Sequence, residues 1–594
     1  MTHFARKVLP GALPYLVFAL LALVSWNRWI EPYVDSGCEL MVPWRVAHGE
    51  RLYRDVHFHH GPLAPFLAAG SDSLFGRSLP ARVALAAAVA LLDLAGLAAL
   101  ARRMLSPGRA ALAVSAAVAA AVFLRPGGWM FPFSFDTALA VAALTWAAEL
   151  CLRGRDAAAG ACILAALLAR PEMGALGAAV LALSARREPR RIGLLAALPL
   201  AAAAAGYAAV SFGIPRDTLV ADGWLRVIDP PQAFRNVYRA YAGLDRPALR
   251  LMELALAAIV LAVLLAVLAA ASAVSARLAA RSSGAASAVE VAAVLLLAAA
   301  AAWRFSPPPD AAERLDLIPP LVRVLPPIVV AAALLRAASV LIPGRRGGAP
   351  PSIPDAVLWM AALFASRMLL AAGYVGPYDS FFLPLTIVVA AAAGFALADR
   401  LAPRLGTALP RLAAAALAVF ALFRIARTAE QYRGGAWERV ATPAGALALP
   451  APLAGATAAA LADLDRRVPP AGTLTGFPEA GFYNYVLGRR NPLRLEQFFP
   501  GHLDAAGERE TAALLERTPP DALVRANVLA VGEGTRAFGT DYNRALDAAA
   551  NERFTRAAIY GPGARDGARI GDPGFFVEIM VPRGAASARS GEAR

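Results

Sequence analysis

The chain has 594 residues, 58% of them hydrophobic and only 17% charged, and its mean hydropathy is +0.54. A soluble globular chain sits nearer half apolar and a quarter charged, and a disordered chain needs low hydrophobicity with dense charge. Both classes are excluded, which leaves a polytopic membrane protein. The formal net charge is +15, and the basic residues are almost all arginine. In a soluble protein that balance would raise nucleic acid as a partner. Here the arginine clusters fall between apolar runs, where cations flank membrane helices on the cytoplasmic side, so no nucleic-acid partner is expected. Cys38, Cys151 and Cys162 show neither CxxC nor metal spacing, which excludes a disulfide framework. The first apolar run lacks an A-x-A end, so a cleavable signal peptide is not expected.

A spanning helix needs about 20 mostly apolar residues. Apolar runs recur at 13–26, 83–100, 110–124, 137–152, 157–169, 173–185, 192–212, 254–274, 289–303, 321–341, 357–372, 381–397 and 412–425. About thirteen segments result. The pair broken at Arg170-Pro171-Glu172 is short for two full spans and suits a re-entrant or partly buried hairpin. Arg6-Lys7, Arg102-Arg103, Arg153 with Arg155, the arginines of 186–191, Arg277 with Arg281, Arg345-Arg346 and Arg400 with Arg404 share one side. The positive-inside rule makes that side, and the N-terminus, cytoplasmic. An odd number of spans then exports the C-terminal segment from the cell (inner) membrane.

Three outward segments are large: 29–82, 213–250 and 431–594. In the second, Trp224, Phe234, Tyr238 and Tyr241 recur at roughly helical spacing, which predicts an amphipathic helix at the interface. The third turns polar, with strand-like runs at 473–477, 522–525 and 575–581 and a helix-like stretch at 505–517. The expected fold is therefore an all-α polytopic membrane domain over 1–430, with a small α/β extracytoplasmic domain over 431–594. That domain has no phosphate-binding or dinucleotide motif, so it is expected to assist rather than catalyse.

The segment 29–82 carries the chemistry. Asp35 follows the first span at the membrane surface. If 35–48 is helical, Asp35 and Glu39 share a face at i, i+4. Two close carboxylates raise one pKa, which makes one of them a proton acceptor near neutral pH; the plainer reading of Asp35 is a helix N-cap. His57, His59 and His60 beside Asp55 could hold a divalent metal, but without CxxC or HExxH the stronger reading is polar contacts to an acceptor. Arg170 and Glu172 flank a proline at a membrane edge, where charge is costly unless paired or used. Asp136 ends a second outward loop, and capping the next helix is its plainer role. Arg367 sits inside an apolar run followed by Tyr374, Tyr378 and Asp379. An intramembrane arginine is a functional candidate, suited to a phosphate.

Asp35 after the first span, then Gly-Glu-Arg-Leu-Tyr-Arg-Asp at 49–55, then Gly-Pro-Leu at 61–63, resembles the GT-C glycosyltransferases. The nearest families are the Rgt-like, protein-O-mannosyltransferase-like and aminoarabinose-transferase-like ones. The resemblance is sharpest over 35–63 and weaker at Asp136 and at Arg170-Pro171-Glu172. Many relatives carry adjacent acids after the first span, whereas here Ser36 follows Asp35 and the next acid is Glu39. The resemblance implies a transferase that takes a sugar from a polyprenyl-phosphate donor in the membrane lipid to an envelope glycan, lipid or protein. Asp35 would then be the catalytic base with Glu39 beside it. Asp55, His59, His60, Asp136, Arg170, Glu172, Arg367, Tyr374 and Tyr378 would contact substrate. The resemblance fixes no cofactor and leaves a divalent metal open. The rival readings are a polytopic transporter, which would use broken helices within internal repeats, and a non-catalytic envelope-assembly protein. No repeat is found.

Overall fold

The computed structural model describes residues 3–122, 134–304, 320–341, 353–372, 378–530 and 536–584. Each of the thirteen apolar runs carries a helix. Among the described residues seven helices are long and apolar enough to cross a membrane: Leu79–Met104, Phe135–Leu152, Pro189–Val210, Pro247–Ala279, Leu321–Val340, Tyr378–Leu405 and Leu409–Gly434. Six shorter apolar helices accompany them: Pro10–Ser25, Pro107–Val122, Asp156–Ala169, Pro171–Ser184, Ser283–Ala299 and Asp355–Ser366. The helix Pro247–Ala279 shows why water is the wrong solvent for this chain. Its most apolar stretch has a hydropathy of 3.0, yet only 11% of that stretch is buried inside the protein. Leu251, Leu256, Ile259 and Val263 point outward. Such a continuous apolar face belongs against lipid.

The first eight helices frame the site: α1 (His3–Ser25), α2 (Ser36–Ala47), α3 (Leu63–Phe75), α4 (Leu79–Met104), α5 (Pro107–Ala117), α6 (Phe135–Leu152), α7 (Asp156–Ala169) and α8 (Pro171–Ser184). Small residues such as Ala113, Ala117, Ala140 and Ala147 fill their contacts and are fully buried, which lets the backbones approach closely. α7 and α8 have 14 residues each. At about 1.5 Å per residue both are shorter than the hydrocarbon layer. They break where expected. Pro171 disfavours helical backbone at Arg170, which is extended (φ −140°, ψ 96°).

The C-terminal part is a small α/β module. β1 (Trp437–Thr442) and β2 (Gly445–Pro450) form a hairpin. β3 (Leu474–Phe477), β4 (Ala522–Ala526), β7 (Phe554–Tyr560) and β8 (Val577–Pro582) form a sheet in the order β3-β4-β8-β7. β3 and β4 pair in parallel and the other neighbours antiparallel. β5 (Leu529–Ala530) and β6 (Arg536–Ala537) make a second short hairpin. β3 and β4 are buried at every residue, and the one charge in them, Arg525, is paired with Asp547 and Glu578.

The division at residue 430 falls inside the helix Leu409–Gly434. One apolar core runs without a break from Leu21, Trp44 and Leu97 into Val440, Leu464, Phe482 and Ile579. Polar ties cross the same seam. Arg82 pairs with Asp72 at 2.8 Å, and the Tyr485 hydroxyl donates to that carboxylate at 3.1 Å. Arg45 of α2 donates to Glu496 at 2.7 Å and to the Leu493 carbonyl at 2.7 Å. α2 is thereby pinned to the C-terminal stretch 493–497.

Candidate active site

Asp35 stands at the N-terminal end of α2 with φ 56°. This is a region that L side chains avoid, at a cost on the order of 1–3 kcal/mol. The side chain does not cap its own helix, so the N-cap reading is set aside. The Gln497 Nε2 instead donates to the Asp35 Oδ1 at 2.8 Å. The Asp35 amide donates to the Glu479 Oε2 at 2.7 Å. Among the described residues the Asp35 Oδ2 accepts no hydrogen bond. Gly37 allows this approach. A Cβ there would lie 2.9 Å from the Phe482 amide nitrogen and 3.0 Å from the Glu479 carbonyl oxygen.

Asp35 opens into a cleft of about 1120 Å³, mouth included. Glu39, His59, His60, Arg170, Arg367 and Tyr378 line it with Asp35. The turn that carries the two histidines is held by Gly61. Its amide donates to the Ala169 carbonyl at 3.1 Å, and a Cβ would fall 2.1 Å from the Leu168 carbonyl oxygen. The His59 and His60 rings lie 3.9 Å apart, and the His59 and His502 rings 5.7 Å apart. Burial holds both His59 and His60 well below the usual imidazole pKa, so they act as neutral hydrogen-bonding groups. Among the described residues no group of three or more His, Cys, Asp or Glu side chains is arranged to hold a metal ion.

The acids separate electrically. Burial pushes Asp35 up to about 6, offset by the Gln497 hydrogen bond and reinforced by Asp136. Glu39 is held well above the carboxylate range by burial, then by the charges of Asp136 and Asp35. Glu479 is raised likewise by burial and then by Asp35. All three acids are raised together in one buried site, and environments that pull neighbouring acids apart assign their roles.

The two arginines also differ. Arg170 lies 2.7 Å from the Asp136 carboxylate and 3.2 Å from Glu172. Asp136 is fully buried and stands 3.6 Å from the His60 ring. Arg367 ends the helix Asp355–Ser366. It forms no ion pair among the described residues and rests over the Tyr238 ring (6.0 Å) and the Phe382 ring (5.7 Å).

Asp55 does not reach the cleft; it pairs with Arg54 at 2.8 Å on the surface. Tyr374 lies outside the described residues. The aromatic face read as a membrane-interface helix is used differently. Phe234, Tyr238 and Tyr241 on the helix Gln232–Tyr241 line the cleft, while Trp224 belongs to a separate turn. The C-terminal module was expected only to assist, yet it supplies Gln497, Phe499, Pro500 and His502 to the lining. No motif marks these residues, and the contacts bridge hundreds of positions.

No family model and no curated protein matches this chain. Solved structures do. The ArnT of Cupriavidus metallidurans bound to undecaprenyl phosphate is similar at 14% identity with a TM-score of 0.43, covering 97% of this chain and 98% of that one. The Archaeoglobus fulgidus oligosaccharyltransferase complex with Zn and sulfate is similar at 14% identity with a TM-score of 0.44, over 87% of this chain and 68% of that one. The same enzyme tethered to an acceptor peptide is similar at 14% identity and 0.45, over 96% and 75%. At such identities and TM-scores no residue role and no activity follows from the likeness.

Proposed function

We propose that the chain is a membrane glycosyltransferase of the GT-C kind, with about thirteen membrane segments, its N-terminus in the cytoplasm and its C-terminal module outside. It moves a sugar from a polyprenyl-phosphate donor to an envelope glycan, lipid or protein. The observation that carries this reading is one cleft that joins a partly desolvated carboxylate, Asp35, to Arg367, an arginine within no hydrogen-bonded ion pair among the described residues.

In this reading the donor's chain lies in the bilayer and its phosphate meets Arg367, whose planar fork suits phosphate oxygens. The acceptor hydroxyl gives its proton to Asp35 as its oxygen attacks the anomeric carbon. The bond from that carbon to the phosphate oxygen breaks, and the phosphate leaves with the electron pair. Its developing charge is stabilised by the guanidinium. The lipid phosphate needs no general acid, and a single displacement inverts the anomeric centre. Arg170, paired twice, shapes the wall rather than meeting the phosphate. A transporter reading would require broken helices at midplane within internal repeats; Arg170 at the α7–α8 break lines the cleft, but no repeat accompanies that break.

The test is a donor screen with purified protein in liposomes, following release of polyprenyl phosphate from polyprenyl-phosphate hexoses and pentoses. Release with some donor is expected. No release from any, alongside passage of free sugar across the vesicle, would favour the transporter.

A further inference from the structure

The C-terminal module reaches Asp35 at two points. The Glu479 Oε2 receives the backbone amide of Asp35 at 2.7 Å, and the Gln497 Nε2 donates to the Asp35 Oδ1 at 2.8 Å. The same Gln497 Nε2 lies 3.3 Å from the Glu479 Oε2, so one amide group bridges two carboxylates. Both side chains are buried, Glu479 at 1% and Gln497 at 7% exposure. Hydrogen bonds tie down the stretch that carries Gln497. Asn491 donates to the Leu495 carbonyl and to Glu496 at 2.9 and 3.1 Å, and Arg45 ties Glu496 to α2. The strained backbone at Asp35 thus has a fixed acceptor, and its carboxylate a fixed donor.

We infer that Gln497 and Glu479 form a clamp by which the C-terminal module positions the Asp35 carboxylate for proton transfer. Gln497 is a positioning residue: it acts on the base and not on the reacting atoms. The clamp makes the module part of the active site, and the sequence gives no hint of this. The inference rests on the reading of Asp35 as the base, but its first test needs neither donor nor acceptor.

Several ionisable groups face Asp35. Glu39 and Cys38 come from its own helix, Asp136 from α6, Glu479 from the C-terminal module, and Tyr241 and Tyr378 from the facing helices. Against these, Gln497 is the described side chain that donates a hydrogen bond to the Asp35 carboxylate. A hydrogen bond to the charged form favours ionisation, so its loss must raise proton affinity.

The experiment is an infrared titration of the full-length protein in liposomes. It follows the C=O stretch of the protonated carboxyl that disappears in Asp35→Asn. In Gln497→Leu the midpoint should rise by about one pH unit, which is tenfold in proton affinity. In Gln497→Glu the two carboxyls share one proton and titrate in two steps, so the upper midpoint should rise further. Thermal unfolding of both variants reports folding, and either variant alone decides the matter if the other fails to fold. An unchanged or lowered midpoint overturns the clamp. A midpoint that rises as expected, with Asp35→Asn still transferring sugar, would keep the clamp and overturn the transferase reading of Asp35.

Discussion

The Asp136 carboxylate stands 2.7 Å from the Arg170 guanidinium, and both side chains are almost wholly buried. A buried charge that loses its partner costs about 3–5 kcal/mol. Arg170 keeps Glu172 at 3.2 Å, so Asp136→Asn should lower the stability of the folded protein by less than that, about 1–3 kcal/mol. Thermal unfolding of the solubilised protein measures it. A variant as stable as the parent would show that the pair does not hold α6 to the α7–α8 break.

In the proposed reaction Arg170 is engaged by its two acids and Arg367 meets the donor phosphate. Arg367→Lys keeps the charge and loses the planar fork. Donor affinity should fall about tenfold in the lysine variant and further in Arg367→Met, since charge-assisted hydrogen bonds contribute about 1.5–3 kcal/mol. Equilibrium binding of a labelled polyprenyl phosphate reads this directly. Equal affinity in all three proteins would make Arg367 a partner of the Tyr238 and Phe382 rings alone.

Much of this fold was legible in the sequence, and the reasons are physical. Spanning helices advertise themselves by length and apolarity, so every apolar run carries a helix. The Arg170-Pro171 break followed from the steric demand of proline on its predecessor. The strands at 474–477 and 522–526 and the helix Ala505–Arg517 followed from local pattern. In the site, Asp35, Glu39, His59, His60, Arg170, Arg367 and Tyr378 meet in one cleft, while Asp55 turns to the surface. What stayed hidden is pairing at long range. Gln497 and Glu479 lie in apolar, aromatic stretches without a motif, and only the seam closed by Gly37 brings them to Asp35. The aromatic spacing from Trp224 to Tyr241 predicts one helix face; Phe234, Tyr238 and Tyr241 share it while Trp224 lies in a separate turn, and periodicity does not say what a face meets.

That seam is testable at Gly37. An added methyl would press on backbone atoms of Glu479, Gly481 and Phe482 at 2.9–3.0 Å, and backbone cannot swing aside as a flexible side chain can. Gly37→Ala should destabilise by about 1–3 kcal/mol and reduce turnover more than donor binding. A variant with parental stability and turnover would mean the module does not need to sit so close to α2.

The pH profile follows from Asp35. A base works only when ionised, and burial raises this carboxyl to about 6. Turnover should therefore be retained above that value and lost as pH falls through it. The kcat/KM profile of the reconstituted protein checks this. An acidic limb near the ordinary carboxylate value of about 4 would place the working base in a more solvated position.

The central claim is that the Asp35 carboxylate takes the acceptor proton. Asp35→Asn keeps the size of the side chain and removes the proton acceptor, while leaving Arg367 and the apolar walls in place. The direct measurement is the rate of sugar release from a polyprenyl-phosphate donor in liposomes, alongside donor binding in the same preparation. Binding should stay near parental, and the rate should fall by about 10²–10⁴. An Asn variant that retains more than roughly a tenth of the parental rate would contradict the account and move the base elsewhere.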